Sequence, residues 1–288
     1  TINVALNAST YKIIHGENTG DTEYFKKGFA SDEEREAYEA ELCATVEAEG
    51  AALLKNENNA LPLASGAKVS LFGHGSVDLM YGGTGSGSVD TSKAPNFKQA
   101  LEDQGIQVNS TLWDLYSSDD MMKNYSRITP AAISDTLEAN TQYAVNEAPW
   151  SKLSSAESSF ADYGDAAIVV FSRSGGEGAD LPSGENGTND SWIKGQEGDG
   201  NYLALSAEEK ELLQNLKTLK DNGTFKKIIV LINSSNAIEM DFLNPEICGE
   251  DYGIDSAMWI GDVGQTGING VAQLLAGEVT PSGSLVDS

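Results

Sequence analysis

Four short stretches of this chain are almost uninterruptedly apolar: Val69 to Phe72, Ala166 to Phe171, Ile228 to Ile232 and Ala257 to Ile260. A strand with one face in water alternates apolar and polar residues, whereas a continuous short run predicts a strand covered on both faces, as in a parallel sheet. Helical spacing fills the intervals, over Asn96 to Gln104, Leu112 to Lys123, Ser206 to Leu219 and Thr266 to Ala276. The third of these opens on a capping box, Ser206 with Glu209. Strand and helix alternate, so the class is α/β, a mostly parallel sheet flanked by helices.

Upstream, Ser31 and Glu34 form a second capping box, and Tyr38, Leu42, Val46, Gly50 and Leu53 recur at three- to four-residue spacing. That period predicts a helix with this face buried and with Glu36, Glu39, Glu41, Glu47 and Glu49 in solvent. Residues 1–30 have no sustained period and read as an irregular arm. No repeat and no proline-rich linker divides the remainder, so 31–288 is expected to be one domain. The segment from Asn109 to Tyr163 is the least legible.

The chain has 288 residues, enough to bury roughly 75% of the surface of the unfolded polypeptide. With 40% apolar and 22% charged residues it is too hydrophobic for intrinsic disorder, and its apolar runs are far shorter than a membrane span. Eighteen Lys and Arg against 44 Asp and Glu leave a formal charge of −26. Such a field repels phosphate backbones and anionic lipid, so neither nucleic acid nor a membrane is an expected partner. Two cysteines, Cys43 and Cys248, make no disulfide framework; two histidines, His15 and His74, have no metal-ligand spacing. No metal and no cofactor is expected. Few cysteines and no leader favour the cytoplasm over secretion, although acidity of this degree is compatible with either.

Ligands of open α/β sheets bind beyond the carboxyl ends of the strands. After Phe72 the chain reads Gly73-His74-Gly75, then Tyr81-Gly82-Gly83-Thr84-Gly85-Ser86-Gly87-Ser88-Val89, a density of glycine that lets backbone approach a ligand closely. The spacing fits neither a dinucleotide fingerprint nor a phosphate loop, and no Lys or Arg stands between Lys68 and Lys93. A plain turn is the competing reading. After Phe171 comes Ser172-Arg173-Ser174-Gly175-Gly176-Glu177-Gly178-Ala179-Asp180, followed by a polar stretch with no periodic element before Ser206. Connections of that length are commonly functional lids or disordered segments. Glu177, between glycines just past a buried strand, can take its pKa from whatever closes over it, which is how a general acid is made. A solvated loop glutamate is the plainer alternative. His74 is either a base or a hydrogen-bonded loop residue; no Ser-His-Asp arrangement and no Gly-x-Ser-x-Gly elbow is present. Trp259, within an apolar run, reads as core, and Trp192, in the long loop, as the better ring-stacking residue.

Several of these segments, in this order, resemble the α/β sandwich domain of glycoside hydrolase family 3, which contains many β-glucosidases. The resemblance rests on Glu49-Gly50-Ala51-Ala52-Leu53-Leu54-Lys55-Asn56-Glu57, Ala60-Leu61-Pro62-Leu63, the Gly-Gly-Thr-Gly-Ser-Gly loop, Gly176-Glu177-Gly178, and Gly277-Glu278-Val279-Thr280-Pro281-Ser282-Gly283. It implies a three-layer α/β/α sandwich around a sheet of about six strands. It also implies a (β/α)8 barrel domain elsewhere in the same protein, which supplies an aspartate nucleophile and most contacts to a β-linked glycoside. Glu177 would be the general acid/base. Ser86 and Gly85 would lie near the sugar, with Asp180 and Trp192 as further substrate contacts. The aromatic usual after Gly-Glu-Gly is Ala179 here. No barrel nucleophile motif is found, and residues 1–30 contain no barrel end, so the expected order is sandwich first and barrel after. Half of the carboxylate pair is then missing, and this chain alone is expected to be inactive. The rival reading is a non-catalytic carbohydrate-binding or scaffolding module; a nucleotide-binding domain rests only on fold analogy.

Overall fold

The computed structural model describes residues 28–83, 85–128, 145–176 and 201–285, with residues 3, 6, 7 and 10. The chain falls into two compact units, Thr1–Glu41 and Leu42–Ser288. The larger one is built on a six-stranded sheet of order β1-β6-β5-β4-β2-β3. Its strands are β1 (Ala52–Asn56), β2 (Lys68–Phe72), β3 (Gln107–Val108), β4 (Ala166–Ser172), β5 (Ile228–Asn233) and β6 (Ser256–Trp259). All pairings are parallel except β1 with β6. All four continuous apolar runs are strands, each within one residue of its expected start.

They are continuous because both faces are covered. Val69, Leu71, Ile168, Val170, Ile229 and Leu231 enter one core, with Phe97 and Leu101 of α2 (Phe97–Asp103) and Val271 and Leu275 of α7 (Ile268–Ala276). Phe72, Val169, Phe171, Val230 and Ile232 enter the other. There they meet Leu112 and Tyr116 of α3 (Ser110–Tyr116), Met121 of α4 (Asp119–Asn124), and Leu212 and Leu216 of α5 (Ala207–Asp221). A short α6 (Pro245–Cys248) precedes β6. This is the expected three-layer arrangement. The helix expected over Leu112 to Lys123 is two helices, because Ser118 caps α4: its Oγ accepts from Met121 N–H at 3.4 Å.

The helix upstream, α1 (Asp32–Gly50), starts where expected, with Ser31 Oγ accepting from Glu34 N–H at 3.1 Å. Its orientation differs from expectation. Leu42 is 46% exposed and Val46 61%, while Ala44 and Ala48 are buried. A Cβ at Gly270 of α7 would meet the Ala44 carbonyl, and one at Gly267 would come 2.9 Å from Glu47 Cβ. Backbones this close admit only small side chains, so the alanine row faces inward and the apolar row outward. Among the described residues no helix is long and apolar enough to cross a membrane.

Candidate functional site

The parallel strands run in order 6-5-4-2-3, so the direction of winding reverses between β2 and β4. A crevice at the carboxyl ends of two such strands is where open α/β sheets hold ligands. Both segments singled out in the sequence leave from this point. Gly73, directly after β2, has φ +81°, and a Cβ there would lie 2.7 Å from the Val170 carbonyl of β4. Gly75 is equally confined, 2.7 Å from the same carbonyl and 3.0 Å from Ser172 Oγ. Only glycine lets the two chain exits cross so closely.

Beneath them is a buried polar cluster. Glu147 Oε2 accepts from His74 N–H at 2.9 Å and lies 2.9 Å from His74 Nδ1; its Oε1 accepts from Ala148 N–H at 3.0 Å. Gly73 N–H donates to Tyr116 Oη at 3.1 Å. Burial, and then the nearby Glu147 charge, hold the Tyr116 hydroxyl well above its ordinary pKa, so it stays protonated. His74 is 3% exposed and hydrogen-bonded to Glu147 through its backbone N–H and Nδ1, while its Nε2 is buried without a partner among the described residues. Glu147 fell in the least legible segment, 73 residues from its partner.

The glycine-rich loop is rooted by Asn233 at the end of β5. Asn233 Oδ1 accepts from Met80 N–H at 2.6 Å, and Nδ2 donates to the carbonyls of Met80 at 3.0 Å and Gly261 at 2.6 Å. Val263 and Gly264, after β6, donate to the carbonyls of Met80 (3.1 Å) and Tyr81 (2.8 Å). From this root the loop turns back on itself: a Cβ at Gly82 would meet Val89 Cγ2 at 2.6 Å. Gly85 takes φ +72° and opens a single 3-10 turn, Gly85–Gly87, in which Ser86 is exposed. Arg127 braces the same edge, donating to the Asp78 carbonyl and to Ser172 Oγ, both at 2.8 Å.

The two segments meet. The Cβ position of Gly83 lies 3.4 Å from the Gly175 carbonyl and 3.9 Å from Gly176 Cα. The loop bearing Gly85 and Ser86 therefore lies against the residue that precedes Glu177. Glu177, Asp180 and Trp192 lie outside the described residues, as does Thr84. Trp259 is half-buried and packs against the second core.

Glu47, expected in solvent with the other glutamates of α1, is instead turned inward, its Cβ 2.9 Å from the Cβ position of Gly267, and Asp262 was not singled out. Burial, and then the charge of Asp262, push Glu47 up to about 8; burial also raises Asp262, opposed by hydrogen bonds from Ser235. Glu47 Oε1 and Asp262 Oδ1 are buried without a hydrogen-bond partner among the described residues. Among those residues no group of three or more His, Cys, Asp or Glu is placed to hold a metal ion.

A mostly parallel sheet covered on both faces, with glycine-rich exits converging at its reversal point, defines an α/β domain. Residues 51–288 match the model of the family described as "Glycosyl hydrolase family 3 C-terminal domain", and the chain belongs to that family. It is 31% identical over 251 residues to a β-glucosidase of Ruminococcus albus, covering 86% of this chain and 22% of the relative. It is 30% identical to β-glucosidase A of Butyrivibrio fibrisolvens, covering 86% and 28%. Among solved structures, β-glucosidase 3B of Thermotoga neapolitana in complex with α-D-glucose superimposes with a TM-score of 0.63 at 26% identity. That match covers 88% of this chain and 31% of the neighbour. The chain spans less than a third of the length of these relatives.

Proposed function

We propose that this chain is the acid/base-bearing domain of a retaining β-glycosidase, a β-glucosidase in particular, with Glu177 as the acid/base. Glu177 protonates the glycosidic oxygen as the carbon–oxygen bond breaks. An aspartate on a (β/α)8 barrel domain of the full-length protein attacks the anomeric carbon. The Glu177 carboxylate then takes a proton from water, whose oxygen displaces the aspartate. The two carboxyls must stand about 5–5.5 Å apart, so one on each domain places the bond to be cleaved between them. Ser86 and Gly85 approach the sugar hydroxyls, Asp180 and Trp192 are further substrate contacts, and residues 31–288 act as one domain.

The observation that carries this reading is the approach of Gly83 to Gly175 and Gly176, which brings the glycine-rich loop to the foot of the Gly-Glu-Gly segment. A scaffolding module needs no such convergence. The kinship to β-glucosidases supplies the substrate class.

The test is chemical rescue. In the full-length protein, Glu177→Ala leaves the glycosyl-enzyme without a base to activate water, whereas azide needs none. Azide restores turnover of an activated aryl β-glucoside and yields the β-glucosyl azide. Glu177→Ala turning over like wild type, with no azide product, overturns the assignment.

A further inference from the structure

The most heavily engaged buried charge in the described structure has no part in the reaction as drawn above. Arg173, the first residue after β4, is 0% exposed. All five of its N–H donors are used. Nε donates to the Tyr202 carbonyl at 2.7 Å; Nη1 donates to the Ser172 carbonyl at 3.0 Å and Glu209 Oε1 at 2.8 Å. Nη2 donates to the Ala204 carbonyl at 2.7 Å and Glu209 Oε2 at 2.7 Å. The Glu209 fork is the N3 member of the α5 capping box, where Oε2 also accepts from Ser206 N–H at 2.8 Å. Burial disfavours the charge on Arg173, but Glu209 outweighs it and the guanidinium is held protonated above its ordinary range.

The partners fall on the two sides of one connection. Ser172 ends β4 and Arg173 follows it, and residues 202, 204 and 209 open the return through α5; between them runs the stretch that contains Glu177. A second tie joins the same two ends: Ser174 N–H donates to Tyr202 Oη at 2.8 Å, and Tyr202 Oη donates to the Ser174 carbonyl at 3.2 Å. The Tyr202 ring also lies 5.7 Å from the Arg173 guanidinium carbon. On the far side, Gly175 abuts Asn236: a Cβ there would lie 2.5 Å from Asn236 Nδ2.

A buried ion pair adds little net stability compared with an apolar replacement. What this one supplies is geometry, since a planar fork saturated by two carboxylate oxygens and three carbonyls admits one arrangement of the chain ends. Ser174, held by Tyr202, is three positions before Glu177, so the clamp sets the point from which the chain leading to Glu177 leaves the sheet.

We infer that Arg173, together with Glu209 and Tyr202, is a positioning group for the acid/base, clamping both ends of the loop that carries Glu177 at the reversal point of the sheet. The inference rests on Glu177 being the acid/base. Glu177 touches the substrate; Arg173 acts only through it. Displacing a proton donor by about an ångström costs on the order of 100-fold in the step it assists, so a loosened clamp weakens proton donation selectively.

The test uses the full-length protein and the ratio of kcat/KM on a phenyl β-glucoside, a poor leaving group, to that on a dinitrophenyl β-glucoside, a good one. Arg173→Lys keeps the charge and loses the fork; Tyr202→Phe keeps the ring and the Arg173–Glu209 pair and loses the tie to Ser174. The expected result is a fall in the poor-to-good ratio of about 10- to 100-fold in Arg173→Lys and a few-fold in Tyr202→Phe. The pH limb assigned to the acid moves in the same variants. A ratio and pH limb equal to wild type in either folded variant overturn the inference. If Arg173→Lys does not fold, Tyr202→Phe decides. Glu177→Ala run alongside separates the two claims: a collapsed ratio there with an unchanged ratio in the clamp variants sinks the clamp alone, and an unchanged ratio in Glu177→Ala sinks the reading of Glu177.

Discussion

Asn233 reads the backbone of Met80 as a neighbouring strand would, accepting from its N–H at 2.6 Å and donating to its carbonyl at 3.0 Å, and it holds the Gly261 carbonyl at 2.6 Å as well. One buried amide thus ties the tips of β5 and β6 to the root of the loop that carries Gly85 and Ser86. Asn233→Asp replaces a donor by a carboxylate facing two carbonyls. The expected cost is about 2–3 kcal/mol in urea unfolding, with a rise in KM for glucosides exceeding the fall in kcat. A stability and KM equal to wild type would remove this amide from the account.

Gly73→Ala is expected to destabilise the domain, by about 1–3 kcal/mol from the φ of +81° and by more from the Cβ placed 2.7 Å from the Val170 carbonyl. Gly66→Ala is the control. It has a similar φ of +73° but open space around its Cβ, so it should carry the first cost without the second. Urea midpoints of the two variants, measured together, separate strain from contact.

Glu47 supplies a pH prediction. Its carboxyl is held at about 8 in the folded protein against 4.5 ordinarily, so between those values the folded state binds more protons than the unfolded state. Stability therefore falls as pH rises from about 4.5 to about 8. Glu47→Gln, which cannot ionise, flattens that slope: its Tm exceeds that of wild type at pH 8.5 and approaches it at pH 4.5. Parallel Tm curves across this range would contradict the burial ascribed to Glu47.

If the proposed division of the carboxyl pair between two domains is right, the 288-residue chain by itself hydrolyses no aryl β-glucoside at a rate comparable to family enzymes. Turnover by the purified chain near such rates would refute the division of the site between domains.

What was legible in the sequence, and what was not, follows from the range of the interactions. The runs at Val69, Ala166, Ile228 and Ala257 announce themselves because strands covered on both faces need no polar residue. β1 is hidden among family-motif residues: it is an antiparallel edge strand that exposes Leu53, 41% accessible, and carries Lys55. The inward face of α1 was misread, since its closeness to Gly267 and Gly270 leaves room for Ala44 and Ala48 and turns Leu42 and Val46 outward. The glycine-dense loops beyond β2 and β4 were visible as composition. Their anchors were not. Asn233 holds a residue 153 positions away, Glu147 one 73 away, and Arg173 one 36 away, and nothing local marks any of the three. The capping box at Ser206 and Glu209 was legible as a helix start, and its second duty, holding Arg173, was not.

The central claim is that Glu177 protonates the departing oxygen, and leaving-group dependence tests it most directly. In the full-length protein, Glu177→Ala should lower kcat/KM for phenyl β-glucoside by about 10²- to 10⁴-fold, the usual worth of general-acid help, and change kcat/KM for dinitrophenyl β-glucoside little. Equal hydrolysis of both substrates by variant and wild type would contradict the account and move the search for the acid to Asp180 and Glu185.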